Sequence, residues 1–193
     1  GETDSSAANW VRFSPAFVTL NPGETEQVIV DMSAPIRIDR QGDYRFALIA
    51  STLLPEERSG QSGVWKKYQI ASLFYLTMGH GESKPEITAA TLTKSENGEN
   101  ALIFQLENSG NAHSRLRGEI EISGDSGDTI RAPVNNLVVL HEASRKYRLP
   151  LSEDVPANPE LRVTLEDIHA PQSSSGTVQL APYKTALSFV DSA

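Results

Sequence analysis

Residues 10–50 read WVRFSPAFVTLNPGETEQVIVDMSAPIRIDRQGDYRFALIA. It divides into three β-strands separated by turns of different kinds. Phe13-Ser14-Pro15 interrupts the first strand. Asn21-Pro22-Gly23-Glu24 is a turn tetrapeptide, since Pro presets φ and Gly supplies a positive φ. Thr25 to Met32 then alternates, with Val28, Val30 and Met32 on one side and Gln27, Ile29 and Asp31 on the other. Gly42-Asp43 opens the next strand, where Tyr44, Phe46 and Leu48 alternate with Arg45 and Ala47. A period of two with turn signals between strands is β-sheet punctuation.

The same pattern continues beyond Ala50. A charged, Gly- and Ser-rich loop, Leu54 to Gly63, is followed by a long strand, Val64 to Met78, VWKKYQIASLFYLTM. Its inward set is expected to be Tyr68, Ile70, Phe74 and Leu76, with Ser72 among them. Two readings fit this strand: an ordinary closing strand of a sandwich, or an edge strand that pairs with a partner. Gly79 to Pro85, GHGESKP, has the makeup of a short interdomain hinge.

A second run of strands follows, at Glu86–Lys94, Ala101–Glu107, Leu116–Ser123, Thr129–Ala132, Leu137–His141, Lys146–Leu151, Leu161–Asp167 and Gly176–Ala181. Turns separate them, among them Glu96-Asn97-Gly98, Asn108 to Asn111, Gly124 to Asp128, and Pro156 to Pro159. The tail from Tyr183 to Ala193 is either a docked last strand or a frayed terminus. No stretch sustains the i, i+3, i+4 apolar spacing of a helix. The fold expected is all-β, as two immunoglobulin-like β-sandwich domains, 1–82 and 83–193. Three strands and one long strand are fewer than the roughly seven of a complete sandwich. The first domain is therefore expected to lack its first strands.

Composition narrows the function. The 193 residues carry a net charge of −8, which argues against nucleic acid and against an anionic membrane surface. There is no cysteine, so disulfides, thiol catalysis and zinc–cysteine sites are excluded. No apolar run reaches the roughly 20 residues of a membrane span.

Motifs that would carry chemistry are weak. His80, His113, His141 and His169 are scattered without ligand spacing and read as surface or loop histidines. Glu119 and Glu121 lie two apart and share one strand face; a solvated face is the expected reading, above a calcium or acid–base pair. Gly124-Asp125-Ser126-Gly127-Asp128 reads as a hairpin turn, since it lacks the acidic alternation and terminal Glu of a calcium loop. No phosphate-binding glycine loop and no G-x-S-x-G occur. No enzyme, metal or cofactor is expected.

The residues resemble one family. Phe13-Ser14-Pro15, Phe17, Leu20-Asn21-Pro22-Gly23-Glu24 and the valine strand look like the middle of the first domain of PapD-type periplasmic pilus chaperones. Ser72-Leu73-Phe74-Tyr75 is similar to the end of that family's long last strand, which reads lysine–leucine–phenylalanine–tyrosine. Leu102–Asn108, LHEASRKYRLP at 140–150, Leu161–Asp167 and Gly176–Leu180 fall in the order of the family's second domain. The resemblance implies two immunoglobulin-like domains and a non-enzymatic periplasmic chaperone of fimbrial or secreted subunits, acting by β-strand addition.

Two departures bear on that mechanism. The family's lysine, which with an arginine binds a subunit's terminal carboxylate, is Ser72 here, and the strand that would carry the arginine does not occur. The family's ladder of bulky apolar residues corresponds to Trp65, Lys67, Gln69 and Ala71, of which one is bulky and apolar. The partner-binding residues expected are Trp65, Lys67, Tyr68, Gln69, Ser72 and Tyr75. The partner expected is a pilus or envelope protein, with no nucleic acid, membrane span or small-molecule substrate. The main alternative is a structural or adhesive immunoglobulin-like module of a cell-envelope or surface assembly, on the cell surface or outside it. A carbohydrate-binding sandwich would use Trp10, Trp65, Tyr68 and Tyr75.

Overall fold

A computed structural model describes residues 5–53, 66–151 and 154–190. The protein is all-β: a single turn of 3-10 helix, Ala8–Trp10, accompanies the strands, and no α-helix occurs among the described residues. None of the described residues form a helix long and apolar enough to cross a membrane. The chain divides into two compact units, one of residues 1–40 with 44–78 and the other of 41–43 with 79–193.

The first unit is built from two ribbons. Strand β1 (Val11–Ser14) pairs antiparallel with β2 (Ile29–Met32), Phe13 opposite Val30. Between them the expected turn forms: the Glu24 N–H donates to the Asn21 carbonyl at 3.0 Å, and Gly23 holds φ 87°. That φ is why glycine is needed at this point of the turn. The Glu24 carboxylate accepts from the Asn21 N–H (2.8 Å) and side-chain amide (3.0 Å), which closes the turn from the other side. The strand expected from Thr25 is shorter, because residues before Ile29 find no ladder partner. Strand β3 (Gly42–Ser51) pairs with β4 (Gln69–Met78).

The second unit is a two-sheet sandwich. Its four-stranded sheet runs β13-β5-β6-β9, made from Phe189–Val190, Pro85–Lys94, Asn100–Asn108 and Ala143–Pro150. The other sheet is centred on β10 (Glu160–Asp167) and β7 (Ser114–Ser123), with β8 (Thr129–Val139) beside β7. On the far side of β10 lie β11 (Val178–Gln179) and β12 (Tyr183–Ala186). Alternation places Leu116, Ile120 and Ile122 of β7 inward and Arg117 and Glu119 outward. The inward residues join Leu92, Leu102, Phe104, Leu106, Leu161, Val163 and Leu165 in one core. Each fully buried leucine contributes about 2 kcal/mol from removed apolar surface.

Several expectations are corrected here. Thr129–Ala132 and Leu137–His141 are one strand, β8, interrupted by a bulge: Asn135 and Asn136 oppose Arg117 alone. Asn136 takes φ 54°, a conformation Asn tolerates better than most residues. Pro133 sits within this strand because β8 is an edge and its missing N–H faces no neighbour. The strand expected at Gly176–Ala181 shortens to Val178–Gln179. The tail docks: Phe189 and Val190 add in parallel to Leu92 and Thr93 of β5.

Close backbone approach shapes the sandwich at one glycine. A Cβ on Gly118 would lie 1.9 Å from the Thr164 carbonyl oxygen, so β7 and β10 can pair tightly at this point only with glycine.

Candidate functional site

The β3–β4 ribbon holds most of the residues expected to meet a partner. Its register follows from three contacts. The Thr52 N–H donates to the Tyr68 carbonyl at 3.0 Å, the Gln69 side-chain amide donates to Ser51 Oγ at 2.8 Å, and Phe46 stacks on Phe74. Numbers rise on one strand as they fall on the other, so the ribbon is antiparallel. The main chains of Thr52 and Tyr68 face each other through the Thr52 N–H bond, and the Tyr68 N–H is taken by Thr52 Oγ1 at 3.0 Å.

Hydrogen-bonded pairs recur at every second residue of an antiparallel ladder. The main-chain groups of Ile70, Ser72 and Phe74 therefore face β3, and those of Gln69, Ala71 and Leu73 face away from it. The same alternation holds on β3, where the outward-facing Arg45 N–H donates to the Ser5 carbonyl at 2.9 Å. Residues 5–7 thus cover the β3 edge at Arg45. Among the described residues no strand pairs with the outer edge of β4 along Gln69–Leu73.

The side chains on this ribbon correct the expected inward set. Tyr68 is 61% exposed, Ile70 72% and Phe74 39%, and only Leu76 is half-buried. Burial of a strand face needs a second sheet across it, and no described strand packs on this stretch of β4. Ile49, Leu53 and Leu73 are exposed as well. The Phe46 and Phe74 rings stack with centroids 4.6 Å apart and planes 3° from parallel. Beside them a cleft of about 330 Å³ is lined by Ser6, Arg45, Ala47, Leu73 and Tyr75 along with the two rings.

Of the six expected partner-binding residues, Trp65 lies outside the described residues. Lys67 is exposed just before β4. Gln69, Ser72 and Tyr75 are brought onto one strand, with Tyr68 immediately before it, but not onto one face: Gln69 and Tyr75 share a side with Ala71 and Leu73, while Tyr68 and Ser72 lie opposite. Tyr75 is the member that lines the cleft. Sequence reasoning missed Arg45, Ala47 and Leu73. Their signal was present in the alternation of β3 and β4, but it becomes a cleft only once the register is known.

A second cluster lies in the sandwich unit and corrects the reading of the histidines. His113 and His141 are buried, at 6% and 8% exposure. Asp43 Oδ2 accepts from the His113 N–H at 2.6 Å and lies 2.5 Å from its Nδ1. The His113 ring stacks on His169 with centroids 4.2 Å apart. Asp167, equally buried, accepts from Ser83 Oγ (2.6 Å), the Arg115 N–H (2.9 Å) and the His169 N–H (3.0 Å). Burial, and then the neighbouring His113, hold the His169 imidazole below its ordinary proton affinity. No grouping of three or more metal-ligating side chains forms among the described residues.

The Glu119–Glu121 pair sits on the outer face of β7. Glu121 is bound by Arg131 at 2.8 Å, and neighbouring Arg117 pairs with Glu166, so this face is a lattice of exposed ion pairs. Tyr147 donates to the Val138 carbonyl at 2.6 Å, and burial pushes its phenol above the usual range. Searched against family models and against curated proteins, the chain matches none.

Proposed function

We propose that the chain is a non-enzymatic, chaperone-like protein that holds a fimbrial or secreted subunit in the periplasm by adding a strand to β4. One observation carries this reading. Gln69 to Met78, QIASLFYLTM, is a ten-residue strand with no charge, no Pro and no Gly, and along Gln69–Leu73 no described strand pairs with its outer edge.

Edges left open invite indiscriminate pairing, and proteins usually blunt them. The edges of the sandwich are blunted in that way. β8 carries Pro133 and the bulge at Asn135–Asn136, and β9 carries Arg145, Lys146 and Arg148. β11 and β13 have two residues each. β4 is long and uncharged, with Lys66 and Lys67 confined to its approach. A strand kept open against this pattern serves a partner, whose main chain supplies affinity and whose alternate side chains meet Leu73 and the cleft. The resemblance of residues 13–24 and 72–75 to pilus chaperones adds the class of partner. Ser72 in place of the family's lysine argues that a terminal carboxylate is not the anchor.

The test is photo-crosslinking from the bacterial envelope, with a photoreactive residue at Gln69, Ala71 or Leu73. Adducts with one fimbrial or secreted subunit are expected. Adducts with a neighbouring structural domain of an envelope assembly would move the function to that alternative, and no adduct at any position would remove the site.

A further inference from the structure

We propose that residues 79–85, whose makeup reads as an interdomain hinge, do not bend as one: 80–84 form a strap locked onto the sandwich by side-chain amides, with Asn111 and Gln172 as its fasteners. The strap lies outside every strand, so no ladder satisfies its main chain. Side chains do so instead. The His80 N–H donates to Gln41 Oε1 at 3.0 Å and the Glu82 N–H to Asn111 Oδ1 at 2.7 Å. The Ser83 N–H donates to Gln172 Oε1 at 3.1 Å and the Lys84 N–H to Asn108 Oδ1 at 2.9 Å. The carbonyls of the same residues are taken too. Asn111 Nδ2 donates to the His80 carbonyl at 3.0 Å, and Gln172 Nε2 to the Ser83 carbonyl at 2.9 Å. The Ala112 N–H donates to the Glu82 carbonyl at 3.0 Å, and the Ser109 N–H to the Lys84 carbonyl at 3.3 Å.

An Asn or Gln side chain carries an acceptor and two donors, as a peptide group carries both kinds, so it can stand in for a neighbouring strand. Asn111 and Gln172 each take an N–H of the strap and return a bond to one of its carbonyls. The fasteners are themselves fixed to the sandwich. Asn108 ends β6, and its Nδ2 donates to the carbonyls of Ala112 (2.9 Å) and Val139 (3.3 Å). Asn111 lies in the turn that follows, and Gln172 follows β10, where Asp167 accepts from Ser83 Oγ at 2.6 Å.

Packing closes the strap down. Gly81 and Ser83 are buried. A Cβ on Gly110 would lie 2.1 Å from the Glu82 carbonyl oxygen and 2.9 Å from the Lys84 nitrogen, so only glycine lets the strap lie this close to the turn. A hinge is a few residues free to change φ and ψ. Here His80, Glu82, Ser83 and Lys84 would each have to break a bond at the N–H and another at the carbonyl. That leaves 78–79, where the chain enters the unit, as the bending point on this side.

The experiment is amide hydrogen exchange on the full chain, with Asn111→Ala beside the native protein. In the native protein the Glu82, Ser83 and Lys84 amides should exchange at least about a hundredfold more slowly than in an unstructured chain. In Asn111→Ala the Glu82 amide loses its acceptor and should exchange at least about tenfold faster, while the Ile120 and Ile122 amides of β7 keep their native rates. Exchange of the three strap amides at unstructured rates overturns the proposal, and so does a folded variant in which Glu82 stays as protected as before. Should Asn111→Ala not fold, backbone order parameters of the native protein decide: values at 80–84 within about 0.1 of those in β7 support the strap, and lower values overturn it.

Discussion

Proline substitution at neighbouring positions of β4 separates the two edges of the strand. Gln69 points its N–H away from β3, so Gln69→Pro removes no ladder bond of the free protein. It loses the exposed side-chain bond to Ser51 Oγ, about 0.5 kcal/mol, and the free protein should be destabilised by no more than about 1 kcal/mol. In the complex the same change removes a donor to the added strand, about 1 kcal/mol net. The ring also keeps the partner's main chain from closing on the adjacent bond, so the total is about 2–3 kcal/mol, a loss in affinity of roughly 30- to 100-fold. Ile70→Pro is the opposite case. The Ile70 N–H faces β3, and its removal should cost the free ribbon about 2 kcal/mol. The assays are urea unfolding of each variant alone and titration calorimetry against the subunit identified by crosslinking. Equal destabilisation by the two prolines, or full affinity in the Gln69 variant with its fold intact, would refute the assigned register or the assigned edge.

Other outcomes follow from the same geometry. Ser72→Ala should change neither stability nor affinity by more than about 0.5 kcal/mol, because the exposed hydroxyl has no hydrogen-bond partner among the described residues; a larger loss in calorimetry would give Ser72 a role. Gly118→Ala should cost about 3 kcal/mol or more in urea unfolding of the sandwich unit, since its Cβ would meet the Thr164 carbonyl and push β7 from β10; a loss under about 1 kcal/mol would contradict that close pairing. Glu24 is held below its ordinary carboxyl value by the Asn21 N–H and then by the Asn21 amide, so its increment of stability is present above pH 4.5 and lost as pH falls below it. Glu24→Gln should flatten that part of the acid unfolding curve, and an unchanged curve would dismiss the turn as its source.

The sequence makes the sandwich legible where burial repeats locally. Leu116, Ile120 and Ile122 alternate with Arg117, Glu119 and Glu121, and the ladder of β7 follows that alternation. The turn at Asn21–Glu24 is legible for the same reason, because its Pro and Gly carry their own dihedral preferences. What is illegible depends on partners distant in the chain. The apolar alternation of Tyr68, Ile70 and Phe74 resembles an inward face, but burial requires an opposing sheet that no spacing within the strand reveals. Asn135-Asn136 reads as a break between strands, although it is a bulge that only the opposing Arg117 defines. His113 finds Asp43 from 70 positions away, so four scattered histidines cannot show which of them is buried. Of the candidate site, the strand is legible and the direction of its outer edge is not: that orientation follows from the Thr52–Tyr68 contact across the ribbon.

We propose that the outer main-chain edge of β4 receives a partner strand at Gln69–Leu73. Hydrogen exchange of the Gln69, Ala71 and Leu73 amides, measured with and without the crosslinked subunit, tests it most directly. Fast exchange in the free protein and at least about tenfold slowing in the complex is the predicted result, with the amides of Ile70 and Ser72 protected in both. Slow exchange at the three outward amides in the free protein, or no slowing at them in the complex, would contradict it.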